Sequence, residues 1–278
     1  LIGGMAIIAT LTFYPVMLAY TIGQVQTWIN AIFIFACLAW VLERRVAAGM
    51  LIGAICLLKP QFGLFLIWGA LRGNWPFLLG WGIVVVPASI VSVALFGLAN
   101  NLDYLSVLRF LSSHGENYFH NQSVNGLLNR LLVPGDSQVV PPVFPPYNSL
   151  VYVGTLATSL ALLVAALFLR GRAADKGGFF DFLTAALTFT IASPIAWEYH
   201  YGIALPILAA LLFALPLQSR EETRLGLWIV LGLAYVLTAN FWPITNLAAE
   251  TSFNVVQSYL LFAGLLTLWL RSEERRVG

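Results

Sequence analysis

Few residues in this chain carry chemistry, and they cluster in short polar islands between apolar runs. Lys59, in Leu57-Leu58-Lys59-Pro60-Gln61, is an amine set at the break between two short apolar segments. Interrupted helices at membrane depth expose backbone groups that line cavities, so an ammonium there can hold a phosphate with Gln61 beside it. The plainer reading is a lysine that ends a helix and reaches the interface. Ser193 to Tyr201 reads SPIAWEYHY, placing Glu198 and His200 two residues apart after a proline-broken helix. That pair suits acid/base or phosphate-binding work. The aromatic residues Trp197, Tyr199 and Tyr201 equally suit an interfacial belt.

A second island runs from His114 to Arg130. His114, Glu116 and His120 fall at i, i+2 and i+6, which puts no three ligands on one helical face, so no metal site is assigned. His120, Asn121, Gln122 and Asn125 instead offer hydrogen bonds to sugar hydroxyls, although the same residues can cap a helix beginning near Ser123. Asn121-Gln122-Ser123 is also formally a glycosylation sequon. Arg130 is a second candidate cation for a phosphate. Gly23 and Gln24 open an uncharged turn that places Gln24 as a possible sugar contact or simply a turn residue.

The elements that position these groups are membrane helices. The 278 residues are 60% hydrophobic, 14% aromatic and only 9% charged, with a mean hydropathy of +0.85. This composition predicts an all-α polytopic integral membrane protein. A net charge of +2 leaves no footprint for nucleic acid. Cys37 and Cys56 lie in apolar runs and read as core residues.

Apolar runs at 1–18, 27–42, 47–58, 61–71, 76–98, 150–169, 181–195, 202–217, 225–241 and 254–270 predict about eight full spans plus a broken half-helix pair at 47–71. The positive-inside rule supports the broken pair. With that pair, Arg44, Arg45, Arg72, Arg170, Arg172, Lys176, Arg220 and Arg224 fall on one face, against Lys59, Arg109 and Arg130 on the other. A single span would strand Lys59 at mid-membrane, at a cost of about 2.5–3.5 kcal/mol.

The outer face then carries Thr21–Gln26, the Lys59 turn, a 51-residue loop at 99–149, the Trp197–Tyr201 segment and a loop near 242–253. Asp103–Ser113 and Ser123–Val133 space their apolar residues as interfacial helices do. Val139–Tyr147 is proline-rich and is expected to be an extended cover. Residues 1–270 form one transmembrane domain, expected to be truncated at its N-terminus. Arg271–Gly278 reads as an adapter translation or a short cytoplasmic tail and carries no functional weight.

In order along the chain, GQVQTWINAI, AAGMLIGAICLLKPQFGLFLIWGALRGNW, HNQSVNGLLNRLL and SPIAWEYHYGIALPIL resemble glycosyltransferase family 87, a group of GT-C membrane transferases that includes polyprenol-phosphate-mannose-dependent mannosyltransferases. The resemblance spans roughly residues 15 to 215. It implies a GT-C-like helical bundle in a bacterial cytoplasmic membrane, with its active site on the outer face. It implies an inverting hexosyltransferase that moves a hexose, mannose foremost, from a polyprenyl-phosphate donor to a lipid-linked or cell-envelope glycan. No cofactor is implied, because the donor is a substrate; the partners are membrane lipid, the polyprenyl-phosphate-linked sugar and the glycan acceptor. The general-base carboxylate is expected on a first outer loop before Leu1, so that residues 1–278 alone would be inactive. Where family members carry Asp-His-His after the tryptophan, this chain has Glu198, Tyr199 and His200. On this view Lys59, Gln61 and Arg130 bind donor phosphate, His200 contacts phosphate or acceptor with Glu198 orienting it, and His120, Asn121, Gln122, Asn125, Gln24 and Trp197 contact sugar or acceptor. A lipid or solute transporter, or an assembly subunit, remains an alternative reading of the same elements.

Overall fold

The computed structural model describes residues 2–133, 135–138, 144–168, 178–218 and 221–277. Part of the proline-rich Val139–Tyr147 run and the cations Arg170, Arg172, Lys176 and Arg220 lie outside the described residues. What is described is helical, with one isolated antiparallel bridge between Asn121 and Trp197.

The first apolar run does not form one helix. It divides into α1 (Ile2–Thr12) and α2 (Tyr14–Thr21), bent by 66°. Pro15 in the first turn of α2 supplies the physical reason, since a proline lacks the N–H that a continuing helix would need. Helices α3 (Gln26–Val41) and α4 (Arg45–Leu58) follow. Pro60 then ends α4, and a 3-10 turn, Pro60–Gly63, leads into the short α5 (Leu64–Leu71). The broken pair expected at 47–71 is present, with Lys59 in extended backbone at the break (φ −134°, ψ 96°).

Next comes α6, a run of 40 residues from Trp75 to His114 started by an Asn74 cap on the Phe77 N–H. Gly97 interrupts it in a left-handed, non-helical conformation (φ 79°, ψ 154°) that an L side chain rarely adopts. The apolar run 76–98 and the amphipathic stretch expected at 103–113 are therefore two arms joined at this glycine. Helix α7 (Val124–Leu132) matches the second interfacial helix, with the Ser123 hydroxyl accepting from the Gly126 N–H at 3.1 Å. Helices α8 (Ser149–Phe168), α9 (Phe179–Ile191), α10 (Ala204–Gln218), α11 (Glu221–Ala239) and α12 (Tyr259–Val277) complete the bundle.

Among the described residues, α6 and α8 are long and apolar enough to cross a membrane, and α1 with α2 adds a third candidate as one broken span. The sequence reading expects about eight; turns and breaks divide the remaining apolar runs into helices of 10–17 residues.

Two contacts fix the frame around Lys59. Gly49 of α4 and Gly80 of α6 let the helices touch backbone to backbone: a Cβ at Gly49 would lie 2.0 Å from the Phe77 carbonyl oxygen, and one at Gly80 equally close to that of Val46. At the other end of α5, Arg72 donates to both carboxylate oxygens of Asp181 on α9 (2.6 and 3.1 Å) and to the Leu167 carbonyl of α8 (2.7 Å). Arg72, counted above only as an orientation charge, is thus a buried ion-pair partner. Its guanidinium lies 5.9 Å from the ring of Trp68, which belongs to an aromatic cluster with Trp40, Phe65, Phe77 and Phe182 in which Trp40 stacks on Phe182 at 4.6 Å.

Candidate functional site

A cavity of about 690 Å³ opens where the α4–α5 break, the distal arm of α6 and the segment after α9 meet. Lys59, Gln61, Arg109, Ser112, Ser193 and His200 supply its polar groups, and Leu58, Leu64, Leu108, Leu111 and Leu163 its apolar ones. No carboxylate stands among its described lining residues. Burial pushes the Lys59 amine down to about 7. Burial also holds His200 well below the usual imidazole range, with the charge of Lys59 adding to the effect. His200 is therefore neutral. Its Nδ1 accepts from the Trp197 N–H at 3.1 Å, which leaves the proton on Nε2 as a donor. An amine, a guanidinium and an imidazole N–H in one acid-free cavity can receive an anion.

His200 stands on a 3-10 turn, Glu198–Ile203, and Glu198 on the same turn enters a different environment. The Glu198 carboxylate is fully buried. It accepts from His120 Nδ1 at 2.6 Å, from the Tyr14 hydroxyl at 2.9 Å and from the Tyr259 hydroxyl at 3.3 Å. With Nδ1–H committed to the carboxylate, His120 Nε2 is left as an acceptor. The ring lies beside Tyr118 (4.6 Å) and Trp197 (6.3 Å), two aromatic faces of the kind that pack on sugar rings. Trp197 is itself held by its indole N–H, which donates to Glu116 at 2.8 Å. Burial pushes the Glu116 carboxyl up, partly offset by that indole.

The two sequence islands form one woven unit. The Gln122 N–H donates to the Ala196 carbonyl (2.8 Å) and the Glu198 N–H to the His120 carbonyl (3.1 Å). Asn121 accepts from the Ala196 N–H at 3.1 Å and donates to the Pro194 carbonyl at 3.2 Å. Gln122 donates to the carbonyls of Phe119 and Gln257 and accepts from the Leu260 N–H. Asn125 donates to Thr155 at 3.2 Å. Buried amides that would be costly unpaired are satisfied in this way.

Of the residues singled out in the sequence, the structure brings Lys59, Gln61 and His200 to one cavity, and Glu198, His120 and Trp197 to the neighbouring cluster. It commits Asn121, Gln122 and Asn125 to protein partners. Arg130 is buried away from the cavity lining, donating to the carbonyls of Tyr118 (3.2 Å) and Asn121 (3.0 Å) and to the Ser258 hydroxyl. Gln24 lies in the α2–α3 turn, outside both clusters, its N–H bonded to the Ala19 carbonyl. Glu198 orients His120 rather than His200, because successive positions of a tight turn face different sides. His114 stacks on Phe110 at 4.1 Å, apart from Glu116 and His120. Four contributors carry no such signal in the sequence, Tyr118 beside His120 among them. Arg109 was visible only as an outer-face charge, while Tyr14 and Tyr259 lie 184 and 61 residues from Glu198 and carry no local signal.

A family model described as glycosyltransferase family 87 matches residues 3–194. The chain belongs to that family. Membership of family 87 implies glycosyltransferase activity, and together with the apolar helices it points to a membrane protein. No curated protein and no solved structure matches the chain. The match covers Lys59, Gln61, Arg109, His120 and Pro194, while Glu198 and His200 fall just beyond it.

Proposed function

We propose that this family 87 glycosyltransferase is a GT-C-type, inverting enzyme of a bacterial cytoplasmic membrane, with about eight spans and its site on the outer face. It moves a hexose, mannose foremost, from a polyprenyl-phosphate donor to a lipid-linked or cell-envelope glycan. The observation that carries this reading is the cavity with Lys59 and Arg109 on its walls, no described carboxylate, and leucines beside them.

Transfer by displacement joins the acceptor oxygen to the anomeric carbon as the bond to the phosphate oxygen breaks, leaving a phosphate monoester, while the acceptor hydroxyl gives up its proton to a general base. Charge grows on the phosphate oxygen, so fixed cations and donors nearby act mainly on the transition state. Lys59, whose protonated form an adjacent phosphate favours, and the Nε2–H of His200 take this role, with Gln61 as a neutral donor. His120 accepts a hydrogen bond from the acceptor hydroxyl and Glu198 fixes its tautomer, while Trp197 and Tyr118 pack on a sugar ring. Neither role requires a metal.

A transporter would also use a broken helix with a buried cation. Membranes containing the complete gene product and a radiolabelled polyprenyl-phosphate hexose separate the two readings. The enzyme releases label from the donor lipid into glycan, whereas counterflow in proteoliposomes without donor cleavage would overturn the transferase reading.

A further inference from the structure

We propose that Arg109 is the second cation of the lipid-phosphate site, completing from the distal arm of α6 what Lys59 begins from the α4–α5 break. This deepens the reading above and rests on it.

The two cations reach the cavity from elements 50 residues apart in sequence, so their convergence is a property of the fold. Arg109 makes no ion pair among the described residues; the arginine–carboxylate pairs there join Arg45 to Glu43 and Arg72 to Asp181. The carboxylates nearest in sequence do not neutralise it. Asp103 is not part of the lining, and Glu116 is engaged by the Trp197 indole. Arg130, the other arginine of the outer face, has its guanidinium bonded to two carbonyls and a hydroxyl. An unpaired, exposed guanidinium facing an acid-free cavity is available to a ligand.

Its chemistry complements that of Lys59. The planar fork of a guanidinium engages two phosphate oxygens at once, whereas an ammonium acts as a point charge. The same arm brings Tyr104, Leu108 and Leu111 to the cavity beside Arg109. A free phosphate has no use for that wall, but a phosphate carrying an isoprenoid chain does. The recognised chemistry is therefore a phosphate with an apolar tail.

The test is the binding of polyprenyl phosphate to the complete protein in nanodiscs, beside two further probes, inorganic phosphate and the uncharged polyprenol. Arg109→Gln should weaken polyprenyl phosphate binding roughly tenfold or more, the scale of one charged hydrogen-bonded contact. Arg109→Lys should retain part of it, and the thermal midpoint should not move because the side chain is exposed. Polyprenol and inorganic phosphate should each bind far more weakly. Unchanged affinity in Arg109→Gln, with loss in Lys59→Ala, overturns the role of Arg109 and leaves the donor site standing. Inorganic phosphate binding as tightly as the lipid overturns the tail assignment. Failure of the wild-type protein to bind polyprenyl phosphate overturns the donor reading itself.

Discussion

Glu198 and His120, 78 residues apart, meet in a 2.6 Å hydrogen bond between a fully buried carboxylate and a partly exposed imidazole. Hydroxyls from Tyr14 and Tyr259 converge on the same carboxylate, so the N-terminal helices and the start of α12 are tied to one charge. A buried anion is tolerated only when its oxygens are so supplied. The arrangement fixes the direction and tautomer of one imidazole beside Trp197.

His120→Ala should therefore cut transfer by roughly tenfold or more while leaving the fold in place, since general acid–base and hydrogen-bonding groups contribute on that scale. Tyr14→Phe removes one donor to the carboxylate and should lower stability by about 1.5 kcal/mol. Turnover and thermal unfolding, measured on the same preparations, separate the two effects. Wild-type turnover in His120→Ala would remove this residue from the site.

The α4–α6 contact should be intolerant of a single methyl group. Gly49→Ala places a Cβ where the Phe77 carbonyl stands and should cost about 1–3 kcal/mol through forced separation of the helices. Gly82→Ala, on the facing helix α6 but with open space around its Cβ position, should be neutral or slightly stabilising. Equal unfolding midpoints for the two variants would contradict the packing described.

The ion pair of Arg72 and Asp181 is buried on both sides. Removing one partner strands the other, so Arg72→Ala and Asp181→Ala should each destabilise by about 3–5 kcal/mol. The double variant should lose less than the two losses added together. Strict additivity in this cycle would show the pair to be uncoupled.

Stability should rise with pH between about 7 and 9, in part through Lys59. Its amine titrates near 7 in the folded chain and near 10.4 when unfolded. Between those values the unfolded chain binds the extra proton, and raising the pH removes that advantage. In Lys59→Met the rise in Tm from pH 7 to pH 9 should be smaller than in the wild type. An identical slope would place Lys59 in water.

Much of this was legible in the sequence, for identifiable reasons. Pro60 after a short apolar run marks the Lys59 break, and Ser123 before Val124 marks the start of α7, because both signals are local. The Phe13 break was missed although Pro15 lies beside it, since hydropathy alone does not register a bend within an apolar run. Asn121, Gln122 and Asn125 have the residue types of a sugar site. Their actual partners are backbone groups of Pro194, Ala196, Phe119 and Gln257 and the Thr155 hydroxyl, which no periodicity can reveal. Arg109 and Arg130 share a charge and a predicted face. Only the fold shows that one is exposed at a cavity and the other buried in hydrogen bonds.

On the proposed function, Lys59 holds the donor phosphate of a glycosyl transfer. The most direct measurement is the rate of hexose transfer from a radiolabelled polyprenyl-phosphate hexose by membranes carrying the complete protein or its Lys59→Ala variant at equal protein levels. The expected result is a fall of roughly ten- to a hundredfold, the value of one charged hydrogen bond to the leaving phosphate. Unchanged turnover in Lys59→Ala would contradict it.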